Sequence, residues 1–125
     1  MSKNDKLLDH VSPRLKLWLE KDGEMILGKG GALLLRAIEE QGSISQALKA
    51  LPAEALGETE SPSYRFAWGY LRKVEKRLGV SIVEKRRGHQ AGTGGTVLTE
   101  LGRKLLQYYE ELEQRLEEIL VTRSH

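Results

Sequence analysis

Residues 84–102 read EKRRGHQAGTGGTVLTELG. Lys85, Arg86 and Arg87 run into a loop with glycine at positions 88, 92, 94 and 95, and the chain returns through Thr96, Val97 and Leu98 to Thr99. Two structures compete for such a stretch. A glycine loop that cradles a nucleotide phosphate leads straight into a helix N-terminus, with a lysine and Ser/Thr after the glycines or the G-x-G-x-x-G pattern of a dinucleotide site. Here no lysine follows the glycines, no strand–helix–strand unit surrounds them, and Thr96–Leu98 reads as a strand before the next helix. The other structure is a hairpin, with VSIVEK (residues 80–85) as the outgoing strand and TVL as the returning one. Glycine at its tip permits backbone N–H groups to come close to a phosphate. Lys85, Arg86, Arg87 and His89 then supply charge, and Thr93 and Thr96 supply hydrogen bonds, of the kind that position a protein on a duplex without reading its sequence. A hairpin that touches nothing is the bland alternative.

Upstream, PRLKLWLE (residues 13–20) alternates, with Leu15, Leu17 and Leu19 on one face, which predicts a half-buried strand. Asp22-Gly23 is a strong turn signal because the favoured two-residue hairpin needs positive φ, and Met25–Leu27 is the expected partner strand. From about Gly30 the period becomes helical through Leu34, Leu35 and Ile38, closed by Gly42. Ser43 opens a second helix at once, carrying Ile44, Ala47, Leu48 and Leu51, so the two helices must cross steeply. Residues 52–60 read as a loop, and Ser61-Pro62 restarts a helix whose stripe is Ala67, Leu71, Val74 and Leu78, ended by Gly79. Thr99 caps a last long helix, with Glu100 in its first turn. Three helices followed by a two-stranded hairpin form the winged helix-turn-helix arrangement. The expected fold is mainly α with small β. A flexible N-terminus (1–12) precedes the winged domain (13–98), and a C-terminal dimerisation helix (99–121) follows it.

Turning Ala67, Leu71, Val74 and Leu78 inward leaves Ser63, Tyr64, Arg65, Trp68, Gly69 and Arg72 on the outer face of the third helix. Tyrosine, tryptophan and two arginines together exceed what plain solvation asks for. Arginine grips guanine bidentately in the major groove, and a helix entering end-on presents its N-terminal half. Trp68 has a second reading as packing. For Phe66 and Tyr70, filling the seam against the first hairpin is preferred, as hairpin packing is for Trp18.

Charge agrees with that polarity. Net charge is only +2, but from Tyr64 to Arg87 eight cations face two anions, while from Thr99 to Leu120 six glutamates outnumber three cations. A basic middle beside an acidic tail suggests a polyanion for one face, against the plainer reading of a solvated helix.

Three stretches carry a resemblance. SPRLKLWLEKDGEMILGKGGALLLRAIEEQGSISQALKAL (12–51), SYRFAWGYLRKVEKRLGVSIVEKRRG (63–88) and GGTVLTELGRKLLQYYEELE (94–113) look like the N-terminal DNA-binding domain of the molybdate-responsive regulators, the ModE family. The S-Y-R-x-A-W stretch and G-G-T-x-L-T-x-x-G are its specific parts, and the likeness runs from about residue 13 to 116. More distantly the chain is similar to the head of LysR-type regulators. The resemblance implies a winged helix, a dimer, and double-stranded DNA read by the helix that holds Tyr64, Arg65 and Trp68. Two departures qualify it. The family's molybdate-binding C-terminal domains have no counterpart before His125, so molybdate is not an expected ligand, and residues 52–62 look like an insertion in a usually tight turn.

Other chemistry has little support. With 125 residues, 39% apolar and 30% charged, the composition is that of an ordinary globular domain. No apolar run approaches the roughly 20 residues of a membrane span, and the N-terminus lacks a signal peptide's apolar core, so the expected location is cytoplasmic. Cysteine is absent, and His10, His89 and His125 have no paired spacing, so neither a metal nor another cofactor is expected. No catalytic set is legible, and the chain reads as a non-enzyme.

The last helix has a near-heptad stripe, with Leu105, Leu112 and Ile119 seven apart. Its first half covers the domain's own core. A chain this small has little interior left for the second, so Tyr109, Leu112, Leu116, Ile119 and Leu120 are expected to pair with a second copy. The function expected is that of a sequence-specific regulator binding duplex DNA as a dimer. A winged-helix module that binds protein without DNA is the alternative, which an acidic reading helix would favour.

Overall fold

The structure is a computed structural model and describes residues 3–52, 55–56, 63–86 and 95–123. A short helix, α1 (Lys3–Leu8), stands where the sequence reading has a flexible end. Then come β1 (Leu19–Lys21), β2 (Glu24–Leu27), α2 (Lys29–Gln41), α3 (Ile44–Ala50), α4 (Tyr64–Leu78), β3 (Val83–Lys85), β4 (Thr96–Leu98) and α5 (Glu100–Arg123). Two antiparallel hairpins, β1–β2 and β3–β4, bracket the helical centre. This is the mainly helical winged arrangement that the residue pattern predicts.

Local chemistry explains most boundaries. Asp22 and Gly23 both take positive φ, 53° and 82°, as the predicted tight turn requires. Gly42 ends α2 in the left-handed region and donates its N–H to the Ile38 carbonyl at 2.8 Å. Ser43 caps α3 by accepting the Gln46 N–H at 3.1 Å. Gly79 closes α4 with φ 82°. Thr99 caps α5, its Oγ1 accepting the Gly102 N–H at 3.1 Å and donating to the Ser81 carbonyl at 2.8 Å.

Two boundaries differ from expectation. The predicted Ser61-Pro62 start lies outside the described residues, and within them α4 is capped by Ser63, whose Oγ accepts the Phe66 N–H at 3.0 Å. The first strand is three residues long and does not begin at Pro13. A strand extends only as far as its ladder partner, and β2 gives way to α2 at Lys29. Residues 13–18 therefore run as irregular chain. Leu17 packs against the core all the same, and its carbonyl accepts the Tyr109 hydroxyl at 3.2 Å.

One core joins the elements. Leu34, Leu35 and Ile38 of α2 meet Ile44 and Ala47 of α3, Ala67, Leu71 and Val74 of α4, and Ile82 and Leu98 from the hairpin. Leu106 and Tyr109 of α5 close it. Gly102 allows α5 to start against the chain entering β3, because a Cβ there would fall on the Ile82 carbonyl oxygen. Ionic contacts run along the α2–α5 seam. Arg36 grips the Glu110 carboxylate with two nitrogens, Lys29 meets Glu113 at 2.9 Å, and Arg103 meets Glu39 at 3.2 Å.

Candidate nucleic-acid interface

Helix α4 follows the α2–α3 pair and buries one stripe, Ala67, Leu71, Val74 and Glu75. By helical geometry the opposite face carries residues three and four apart, and Arg65, Gly69, Arg72, Lys73 and Lys76 are all exposed there. The expected set is thus extended by Lys73 and Lys76. Stepping by four and seven from Gly69 would have found both in the sequence.

Three side chains four residues apart on α4 form a stack. Tyr64, 52% exposed, meets Trp68 edge-on with ring centroids 6.3 Å apart. The Arg72 guanidinium lies 4.7 Å above the Trp68 ring and pairs with Glu75 at 2.6 Å. Such contacts hold an aromatic pair and a cation in one geometry without filling the core. Trp68 itself is half-buried and packs against the core, so it forms the floor of this stack rather than a free outer surface. Ser63 is exposed at the helix tip, its oxygen committed to the cap.

Phe66 and Tyr70 are half-buried, Tyr70 packs against the core, and burial raises its pKa. A Cβ on Gly31 would collide with the Tyr70 hydroxyl, which shows how closely α2 and α4 approach. Trp18 lies by the first hairpin, its Nε1 donating to Glu20 at 2.8 Å.

The second hairpin pairs Val83 with Leu98, Glu84 with Val97 and Lys85 with Thr96. Lys85 and Arg86 are exposed, the latter with its N–H on the Gly95 carbonyl at 2.9 Å. Arg87, His89 and Thr93 lie outside the described residues. Thr96 is a correction: it is 6% exposed, on the inward face with Leu98, and its N–H donates to the Gly42 carbonyl at 2.9 Å. Its side chain therefore faces the protein instead of a phosphate, because β4 alternates inward at 96 and 98.

Glu75 escaped the sequence reading. It is 8% exposed and accepts the N–H groups of Ile82 at 2.8 Å and Val83 at 3.3 Å, fastening the foot of the hairpin to the last turn of α4. A carboxylate in a charged helix looks like solvated surface, and only the turn at Gly79 brings the two amides to it.

On α5, Tyr109 is also a correction. It is 1% exposed inside its own chain, with desolvation first and the Glu113 carboxylate second raising its pKa to about 12. It belongs to the head's core. Leu112, Leu116 and Leu120 are half-buried and Ile119 is 55% exposed. Among the described residues no group of three or more His, Cys, Asp or Glu could hold a metal ion, and no helix is long and apolar enough to cross a membrane.

No family model matches the chain. Two relatives do. It is 36% identical over 84 residues to the Transcriptional regulator ModE of Haemophilus influenzae, covering 67% of this chain and 29% of that protein. It is 32% identical over 98 residues to the Molybdenum transport protein ModE of Azotobacter vinelandii, covering 78% and 33% respectively. The chain thus spans about a third of the length of the curated relatives it matches. Identity at that level over most of the chain makes it a member of the ModE family.

Proposed function

We propose that this chain is a DNA-binding transcriptional regulator that works in the cytoplasm as a homodimer. In this reading α4 enters the major groove, and the basic hairpin, with Lys85, Arg86, Arg87, His89 and Thr93, rests on the backbone. The observation that carries it is the exposed face of α4, where Arg65, Arg72, Lys73 and Lys76 lie together, with Arg72 stacked on Trp68 at its border. Cations on one helix face attract phosphate, and a helix carried on a helix-turn-helix scaffold has the width to fit the major groove. The name of one relative, a transcriptional regulator, agrees. The outer half of α5, with Leu112, Leu116, Ile119 and Leu120, is the surface on which two copies would pair.

A salt titration tests the reading. A dimer making about 6 to 10 phosphate contacts loses roughly 10³- to 10⁵-fold in affinity between 50 and 200 mM salt. Fluorescence anisotropy with duplexes selected from a random pool should show that slope. A flat response, or no capture of duplex at low salt, rejects DNA in favour of a protein-binding winged helix.

A further inference from the structure

The described residues place four glycines inside helices, namely Gly30 and Gly31 in α2, Gly69 in α4 and Gly102 in α5. After proline, glycine is the residue a helix interior tolerates least, so each position calls for a reason. For three of them the reason lies within the chain. A Cβ on Gly30 would fall on the Ala55 carbonyl oxygen, one on Gly31 on the Tyr70 hydroxyl, and one on Gly102 on the Ile82 carbonyl oxygen. At Gly69 a Cβ would meet nothing within 4 Å. The residue is exposed, and φ there is not in the left-handed region that would call for glycine. The fold offers no reason for it.

Its surroundings supply one. Arg65 precedes it by four residues, while Arg72 and Lys73 follow by three and four, so on a helix surface Gly69 is ringed by cations. It lies opposite the buried stripe of Ala67, Leu71 and Val74, at the outermost line of α4. Whatever approaches this bare patch approaches it between positive charges. We propose that Gly69 is the point of closest approach between α4 and the base edges of the major groove, kept bare so that the helix can seat deeply, with Arg65 beside it reaching a base edge and the other surrounding cations the phosphate walls. The inference rests on the DNA-binding reading of α4 and adds to it a steric requirement at one residue.

Gly69→Ala and Gly69→Leu test it, because here stability and binding should move in opposite directions. With open space around the new side chain and a better helix former in place, the Gly69→Ala protein should melt about 3–6 °C higher. Its affinity for a selected duplex should nevertheless fall about tenfold, the scale of one lost base contact, and Gly69→Leu should fall further while melting no lower than the unaltered protein. If both variants bind as tightly as the unaltered chain, the steric requirement is wrong and DNA binding by α4 stands. A lower melting temperature for Gly69→Ala would also overturn it, since the methyl would then be meeting the chain itself. If the unaltered protein binds no duplex at low salt, the requirement falls together with the reading beneath it.

Discussion

The carboxylate of Glu75 accepts the backbone N–H of Ile82 at 2.8 Å, across the turn that ends α4 and beside the strand that begins the basic hairpin. The same oxygen takes the Val83 N–H at 3.3 Å, and the other takes Arg72 at 2.6 Å. One buried side chain thus ties together the helix expected to read a duplex and the hairpin expected to lie on its backbone. Arg72 is held from both sides, by Glu75 below and the Trp68 ring beside it.

Removing that acceptor should be costly. Glu75→Ala strands two inward-facing N–H groups, at about 1–3 kcal/mol for each buried donor left unsatisfied. Urea denaturation should show a loss of about 2–6 kcal/mol. Glu75→Gln keeps a carbonyl acceptor and should lose about half as much. Equal stability of the alanine variant and the unaltered protein would mean that the foot of the hairpin is held by something else.

Base contact and backbone contact separate on two arginine and lysine positions. Arg65→Ala should weaken binding by about 1–3 kcal/mol and relax sequence preference, as loss of a bidentate base contact does. Lys85→Ala should weaken all sequences alike and make the salt slope shallower by about one unit. Binding measured against a selected duplex and a scrambled one, each at several salt concentrations, distinguishes the two. The opposite pattern would exchange the roles of helix and hairpin.

Pairing through α5 is tested at its outer half. Leu116→Glu with Ile119→Glu introduces charge beyond Leu106 and Tyr109, where α5 closes the head's core. Sedimentation should show a folded monomer. Two tethered heads engage half-sites about 34–36 Å apart, and losing the tether should reduce affinity for a two-fold site by about 10²-fold. A double variant that stays dimeric would place the pairing surface elsewhere, and a monomer that binds undiminished would show that one head suffices.

Tyr109 sets an alkaline limit. Its folded pKa, raised to about 12 from 10.0, favours the protonated phenol in the native state. That contribution is complete below pH 10, declines as pH climbs past the unfolded value, and is gone once pH has passed through about 12. Unfolding free energy should therefore fall between those two values. In Tyr109→Phe the fall should be smaller, leaving the part due to Tyr70, whose pKa burial also raises. Phenolate absorbance followed over the same range should lose its latest-titrating component in that variant.

Much of the fold was legible in residue types because turns and caps are local requirements. Asp22-Gly23 announced positive φ, Gly42-Ser43 announced the end of one helix and the cap of the next, and Thr99 announced the start of α5. The apolar stripe of α4, and with it the outward placing of Arg65 and Gly69, followed from a 3.6-residue period. What the sequence could not decide were properties that belong to a neighbour. Leucines 15, 17 and 19 alternate like a strand, but only β2 determines how many residues find a ladder partner. Thr96 suits either face of a two-stranded hairpin, and its inward side was decided by the core beneath it. Tyr109 occupies a stripe on α5 that another copy or the chain's own head could cover, and α2 with residue 17 covers it. Glu75 reads as one more charge on a charged helix until the chain folds back and sets two amides against it. Period and capping are written along the chain, whereas burial depends on what arrives from elsewhere in it.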